Sequence, residues 1–440
     1  MVNAVNLTTA LNYLRSVVTG RLKVHFGQTE EIEVSGTAYY EDDSPFAAFI
    51  KTYQPSFDEY VLLLLALTPH LQPRFFNQLI AKFLPEGGDL PEFGGVKGAS
   101  HRGIIPTGET AQFVLAGDEL SKRIDIQSIL SHEHWFSQKH ILWLEPVHEG
   151  EPAMSGRLVL DAELVEQLTI GVVSRPRFSI DFPAEHIETA MEWSDLVLHP
   201  GTQRQIREIE HWITHNDTLL QDWGMGKRIK PGYRALFFGP PGTGKTLTAT
   251  LLGKHTGKDV FRIDLSRVVS KYIGETEKNL SRLFDKAENK SWILFFDEAD
   301  AIFGKRTDIR DAHDKYANQE VAYLLQRIES YNGLVILATN QRSNIDEAFI
   351  RRFQTIIHFP IPRTEERQAI WQRTLPTQIH IADDIDWQQI AARFEMTGAS
   401  ILNVVHYCAV EVLADKSRSL DRKRLESAIL REYAKEGKVL

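Results

Sequence analysis

Apolar positions recur at helical spacing through the first third of the chain. Leu7, Leu11, Leu14 and Val18 stand three or four residues apart, as do Tyr60, Leu63, Leu64 and Leu67, and again Phe76, Leu79, Ile80 and Phe83 after a break expected at Pro69. Each set lines one face of a helix. A Gly-rich stretch at 85–103, PEGGDLPEFGGVKGASHRG, reads as a strand-poor surface loop, and TAQFVLAGDELSKRIDIQSIL at 110–130 returns to the helical pattern. HILWLEP and SGRLVLD then alternate like two strands, joined by the turn-rich VHEGEPAM.

From Trp193 onward the pattern changes to short apolar runs alternating with helical stretches. ALFFG, DVFRIDL, WILFFDE, GLVILATN and TIIHFP are rich in β-branched and aromatic residues. That alternation predicts an α/β unit whose five-stranded parallel sheet is covered by helices on both faces. Residues 363–440 carry helical spacing only and predict a small helical domain. The expected division is therefore 1–187, an α+β module; 188–362, the α/β core; and 363–440, a helical lid. Helices followed by a hairpin is the order of a winged-helix module. The acidic segments EEIEV, EDD and PEGGD favour docking on protein over binding DNA.

Composition narrows the classes. The 440 residues carry 42% apolar residues and a formal charge of −9, which argues against wrapping nucleic acid, since phosphate contacts need clustered Lys and Arg. The basic run KSRSLDRKR at 416–424 is interleaved with Asp and Leu and reads as a solvated helix start. The longest apolar run, 61–67, has seven residues, against the roughly 20 that a membrane span needs. The first residues show no secretory pattern. The single cysteine, Cys408, excludes an internal disulfide framework. A cytoplasmic location is the expectation.

The chemistry sits in the α/β part. GPPGTGKT at 239–246 fits the phosphate-binding pattern GxxxxGK[ST], between a strand and a helix. Gly239, Pro240, Pro241, Gly242, Thr243 and Gly244 let backbone N–H groups face the phosphates of ATP. Lys245 reaches the β and γ phosphates, Thr246 ligates Mg2+, and Leu247 continues into the helix. Ile293 to Phe296 end in Asp297 and Glu298, one carboxylate for Mg2+ and one to activate water. ILATN presents Asn340 at the end of another buried strand, where an amide can orient the attacking water. Arg351 and Arg352 follow beyond the strand ends and cannot easily fold back onto their own phosphate loop. A cation there would serve a neighbouring subunit. FFDEAD at 295–300 also spells the box of the DEAD-box RNA helicases. Those carry a second RecA-like domain and a Ser-Ala-Thr after the box, and this chain has Ala-Thr-Asn and a helical segment instead. Asp300 takes no role beyond capping or pairing.

In this order these motifs resemble the AAA ATPases over about 195–434. DEAFIRRFQTIIHFPIP is similar to the corresponding segment of the katanin and spastin branch. The resemblance implies a hexameric ring of identical subunits, with Arg351 and Arg352 as arginine fingers. SKYIGETEKNLSRLFDKA resembles the family's first pore loop, which would place Lys271, Tyr272 and Ile273 where they grip a protein chain. Leu196 and Val197 would flank the adenine, and Gly398 and Ala399 in MTGASILNVV would approach base and ribose. No arginine stands at the lid's sensor position. A narrower likeness is to bacterial AAA proteins encoded beside phage-tail-like contractile injection systems. It would make 306–316 a second pore loop, with no role for His313, and a tail-like particle component a partner. A protein remodeller, a nucleotide-gated assembly factor with slow turnover and a DNA-associated ATPase all remain compatible with these residues.

Overall fold

The computed structural model describes residues 2–30, 36–86, 88, 90–179, 182–265, 275–288, 290–300, 312–345, 347–415 and 417–437. They form two compact units, residues 1–175 and 176–440. The division falls earlier than the 187 expected from the sequence.

In the first unit, the helices Val2–His25, Pro45–Tyr53, Phe57–Leu71, Phe75–Phe83 and Gly108–Leu115 share one core. Its centre is the helix Phe57–Leu71, where every residue from Tyr60 to Leu65 is fully buried. Each such leucine contributes roughly 1.5–3 kcal/mol by leaving water. Pro69 does not break this helix, which runs on to Leu71. Pro69 lacks the N–H for one helical bond, yet the Gln72 N–H beyond it still donates to Thr68 O at 2.8 Å. The Gly-rich stretch is not strandless, because β1 (Val96–Lys97) pairs antiparallel with β2 (Ile104–Ile105). The expected hairpin is present as β3 (Leu142–Leu144) antiparallel to β4 (Leu158–Leu160).

Glu59 fastens this unit together. Its Oε2 accepts the Ser56 N–H at 2.6 Å, closing a capping box at the start of the central helix. Its Oε1 accepts the Trp135 indole N–H at 2.7 Å and meets His134 Nε2 at 2.9 Å. His134 Nδ1 accepts the Phe136 N–H at 3.2 Å, so the proton is on Nε2 and is donated to Glu59.

The second unit is built on a six-stranded sheet. β5 (Glu185–Ile187), β6 (Tyr233–Phe238), β7 (Val260–Asp264), β8 (Ile293–Asp297), β9 (Leu334–Thr339) and β10 (Thr355–His358) lie in the order β10-β6-β9-β8-β7-β5. The five expected strands are parallel. The sixth, β5, was not expected and runs antiparallel along β7, which also explains why residues 182–187 belong to this unit. Successive residues alternate between two cores. Leu236, Leu294, Phe296, Val335 and Leu337 pack with Leu280, Leu283 and Phe284 of the helix Glu275–Ala287 and Leu324 and Ile328 of the helix Ala312–Ser330. Ala235, Phe237, Ile293, Phe295 and Ile336 pack with Ile206 and Ile209 of the helix Pro200–Asp217 and Ala249 and Leu252 of the helix Lys245–Thr256. Covering on both faces is why these strands read as continuous apolar runs.

After β10, the helices Thr364–Thr374, Trp387–Arg393, Gly398–Ala414 and Arg422–Lys435 enclose a separate core around Trp371, Met396, Ile401, Cys408 and Ile429. This segment is not purely helical, since β11 (His380–Ile381) pairs in parallel with β12 (Ser419–Leu420). Among the described residues, no helix is long and apolar enough to cross a membrane.

Glu59 supplies a test of the first unit. Burial works to raise its pKa, but the hydrogen bonds from Ser56 and Trp135, with the electrostatic pull of His134, outweigh it and hold the carboxyl below its ordinary 4.5. A depressed carboxyl stabilises the fold above 4.5, and that contribution is lost as pH falls through the folded-state value. Glu59→Gln should lower stability by about 1–2 kcal/mol at neutral pH in urea unfolding, and the gap to the unsubstituted protein should close in acid.

Candidate functional site

The polarity of the sheet builds the site. β6, β8 and β9 are parallel and in register, so Phe238, Asp297 and Thr339 all end at one edge, where open α/β sheets bind ligands. Phe238 leads into the loop 239–244 and then into the helix Lys245–Thr256. Two glycines there cannot be replaced without strain. Gly239 has φ +146° and a Cβ would stand 2.0 Å from the Phe359 carbonyl oxygen. Gly242 has φ +76° and a Cβ would stand 2.7 Å from the Ala399 methyl. The Ala399 N–H donates to the Gly242 carbonyl at 3.1 Å, which seats the start of the helix Gly398–Ala414 against the loop.

Lys245 is only 8% exposed. Its ammonium donates to the carbonyls of Gly239 at 2.6 Å and Pro240 at 3.0 Å and to Asn340 Oδ1 at 3.2 Å. Burial pushes its pKa down, opposed by the charges of Asp297 and Asp300. The Asp297 carboxylate accepts the Glu298 N–H at 3.0 Å, and Glu298 itself has φ +51°, a left-handed conformation that costs a non-glycine residue about 1–2 kcal/mol. Strain at the residue expected to activate water is the kind of outlier found at functional positions. Asp300 has a definite partner, for it accepts the buried Thr339 hydroxyl at 3.0 Å, while the Ala299 N–H donates to Ala338 O at 2.9 Å. The acidic segment is thereby tied to the strand that carries Asn340.

A cavity of about 720 Å3 opens at this edge. Pro241, Gly242, Thr243, Gly244, Lys245, Thr246 and Leu247 line it, together with Asp297, Glu298 and Asn340, and with Leu196, Val197, Gly398 and Ala399 on the opposite walls. The volume is that of a small-molecule site. Gly239 and Pro240 do not line it and act through the carbonyls that hold Lys245. The glycine-made cradle and the buried ammonium suit a polyphosphate. The Thr246 hydroxyl and Asp297 offer hard oxygen donors at the cavity. This fits Mg2+, which binds through one or two protein oxygens and keeps substrate phosphates and water.

Arg351 and Arg352 lie elsewhere. β10 pairs with β6 from Thr355↔Ala235 to His358↔Phe238, so Arg351 and Arg352 precede the strand at the end of the sheet opposite to the loop 239–244. Lys271, Tyr272 and Ile273 lie outside the described residues, as do 306–311. The sequence also left unnoticed one wall of the cavity, formed by Glu366, Ile370, Arg373 and Thr374 of the helix Thr364–Thr374. Arg373 donates to the Ser194 carbonyl and so clasps that helix to the segment before Leu196. Their spacing marks one helix face, but nothing in it says what the face meets.

Residues 235–361 match the family described as "ATPase family associated with various cellular activities (AAA)". Protein SAV of Sulfolobus acidocaldarius is 31% identical over 55% of this chain and 32% of its own length. The proteasome-activating nucleotidase of Methanocella arvoryzae is 32% identical over 52% of this chain and 56% of its own. The peroxisomal ATPase PEX6 of Candida glabrata is 32% identical over 45% of this chain and 20% of its own. The matched segment spans less than two thirds of each of these relatives. The likeness to an AAA ATPase domain is therefore carried by residues 235–361.

Gly242→Ala tests the cradle. The strained φ and the Ala399 contact should weaken binding of a fluorescent ATP analogue by about tenfold or more, which is about 1.4 kcal/mol, while circular dichroism shows the fold retained.

Proposed function

We propose that this protein binds ATP with Mg2+ in the cavity, hydrolyses it, and works as a ring of six copies that remodels, threads or disassembles protein substrates. The observation that carries the reading is the convergence of Lys245, Thr246, Asp297, Glu298 and Asn340 on one cavity. On this reading the Lys245 ammonium exchanges its carbonyl partners for β and γ phosphate oxygens. Thr246 and Asp297 hold Mg2+, which when bound neutralises phosphate charge. Asn340 orients a water, and Glu298 takes its proton as the oxygen bonds to the γ phosphorus and the bond to ADP breaks. Leu196 and Val197 flank the base, with Gly398 and Ala399 opposite. The residues 363–440 act as the lid.

The sheet's polarity supports a role for Arg351 and Arg352 on the nucleotide of a neighbouring copy, because their own lies beyond the opposite edge. A relative named as a proteasome-activating nucleotidase supports a protein substrate. Lys271, Tyr272 and Ile273 would grip it, and the N-terminal unit, winged-helix-like in its element order, would dock the partner. Association with a phage-tail-like contractile injection system and a cytoplasmic location rest on the sequence alone.

Glu298→Gln should bind ATP with unchanged affinity and lose at least about 100-fold in turnover, within the range for a general base; normal turnover would sink that role. Tyr272→Ala should keep basal ATPase and lose processing of a partner protein. Stimulation of steady-state ATPase by that partner is the result expected of a remodeller. ATP-dependent binding without stimulation would instead mark a nucleotide-gated scaffold.

A further inference from the structure

The chain segment that leads to Leu196 and Val197 is fastened to the far end of the helix whose first residue is Lys245. Lys254 and His255 stand in the last turn of that helix, where the exposed carbonyl ends favour cations. The Lys254 ammonium donates to the carbonyls of Met191 at 2.9 Å and Ala190 at 3.3 Å and lies 2.6 Å from Glu192 Oε1. Glu192 Oε2 lies 3.1 Å from His255 Nε2, and the His255 ring stacks on Trp193 with centroids 5.7 Å apart.

The backbone of Glu192 carries this hold to the cavity. Its N–H donates to Asp195 Oδ2 at 2.8 Å, and its carbonyl accepts the Asp195 N–H at 2.9 Å. From the other side, Arg373 donates to the Ser194 carbonyl within the same turn. Met191, Asp195, Leu196 and Val197 line the cavity, whereas Lys254 and Glu192 do not. Leu196 also lies over the phosphate loop, where a Cβ on Gly244 would stand 3.1 Å from its Cδ1. Residues 188–199 form neither helix nor strand. Without a ladder of backbone bonds to fix them, their position depends on what side chains impose.

We propose that Lys254, with Glu192 as its counter-ion, is a positioning residue that sets the wall on which the base of ATP rests, and so governs nucleotide affinity without a part in hydrolysis. This rests on the ATPase reading above. A half-exposed ion pair contributes little by itself. Here one ammonium gathers oxygens from three consecutive residues, so the wall is ordered before a nucleotide arrives and binding need not order it. The helix that starts at Lys245 thus serves the phosphates at its first turn and the base at its last.

The test compares ATP with inorganic tripolyphosphate, which has the phosphates and no base, as competitors of a fluorescent ATP analogue, alongside ATPase kinetics and thermal melting. Lys254→Met should weaken ATP binding by about fivefold to tenfold, the worth of one or two hydrogen bonds, with tripolyphosphate affinity within about twofold of the unsubstituted protein. KM should rise in step while kcat stays within about twofold, the pattern of binding lost equally from substrate and transition state. Lys254→Arg keeps the cation and its donors and should bind ATP within about twofold. Glu192→Gln leaves the two carbonyl bonds in place and should weaken ATP binding by only about threefold, again sparing tripolyphosphate, which keeps the inference testable if Lys254→Met fails to fold. Variants that bind ATP normally, that lose ATP and tripolyphosphate alike, or that lose kcat instead of affinity would overturn this inference alone. An unsubstituted protein that binds neither compound would remove it together with the proposed function.

Discussion

Much of the second unit is arranged around one buried positive charge. An ammonium taken out of water must be met by acceptors or lose its proton, and Lys245 has three within 3.2 Å. Two are carbonyls of its own loop, which must curl back to present them. The third, Asn340, ends a different strand. Asp297 and Asp300 lie near enough to oppose the effect of burial. Loop shape, strand register and the placement of the acidic segment thus answer to a single electrostatic requirement. A triphosphate would satisfy the same requirement with more charge.

The second organising fact is direction. Five parallel strands give the sheet two chemically different edges. One gathers the loop glycines, Asp297, Glu298 and Asn340, and the other gathers Arg234, Glu329 and the arginine pair. A chain with this layout holds a buried lysine, a glycine loop and carboxylates at one end and an arginine cluster at the other. Copies placed so that the ends meet would complete one another's sites, in keeping with the head-to-tail contacts that build rings.

What the sequence disclosed followed from burial. ALFFG, WILFFDE and GLVILATN were legible as strands because apolar residues occupy both faces, and the phosphate loop because its glycines and lysine are fixed by backbone geometry. Glu185–Ile187 was missed because three residues at a sheet edge, only part-buried, carry no pattern. β11 and β12, of two residues each, gave none either. Pro69 misled because a proline's effect depends on how many turns follow it. The Asp300–Thr339 bond and the wall formed by Glu366 and Arg373 depend on which elements come together in space. Local spacing is silent on that.

The antiparallel strand β5 has a mechanical meaning. It is the first part of the second unit's sheet that the chain reaches after leaving the first unit, and it is held by three paired residues, with Phe182 packed edge-on against the Phe261–Trp292 pair just before it. A pull transmitted along the chain from the N-terminal unit arrives at this short ladder and one aromatic plug before it reaches β7, and only then β8 with its carboxylates. So small a patch of contacts is of the size that opens locally while the rest of a domain stays folded. The strands that carry Asp297 and Asn340 lie on the far side of β7 from it.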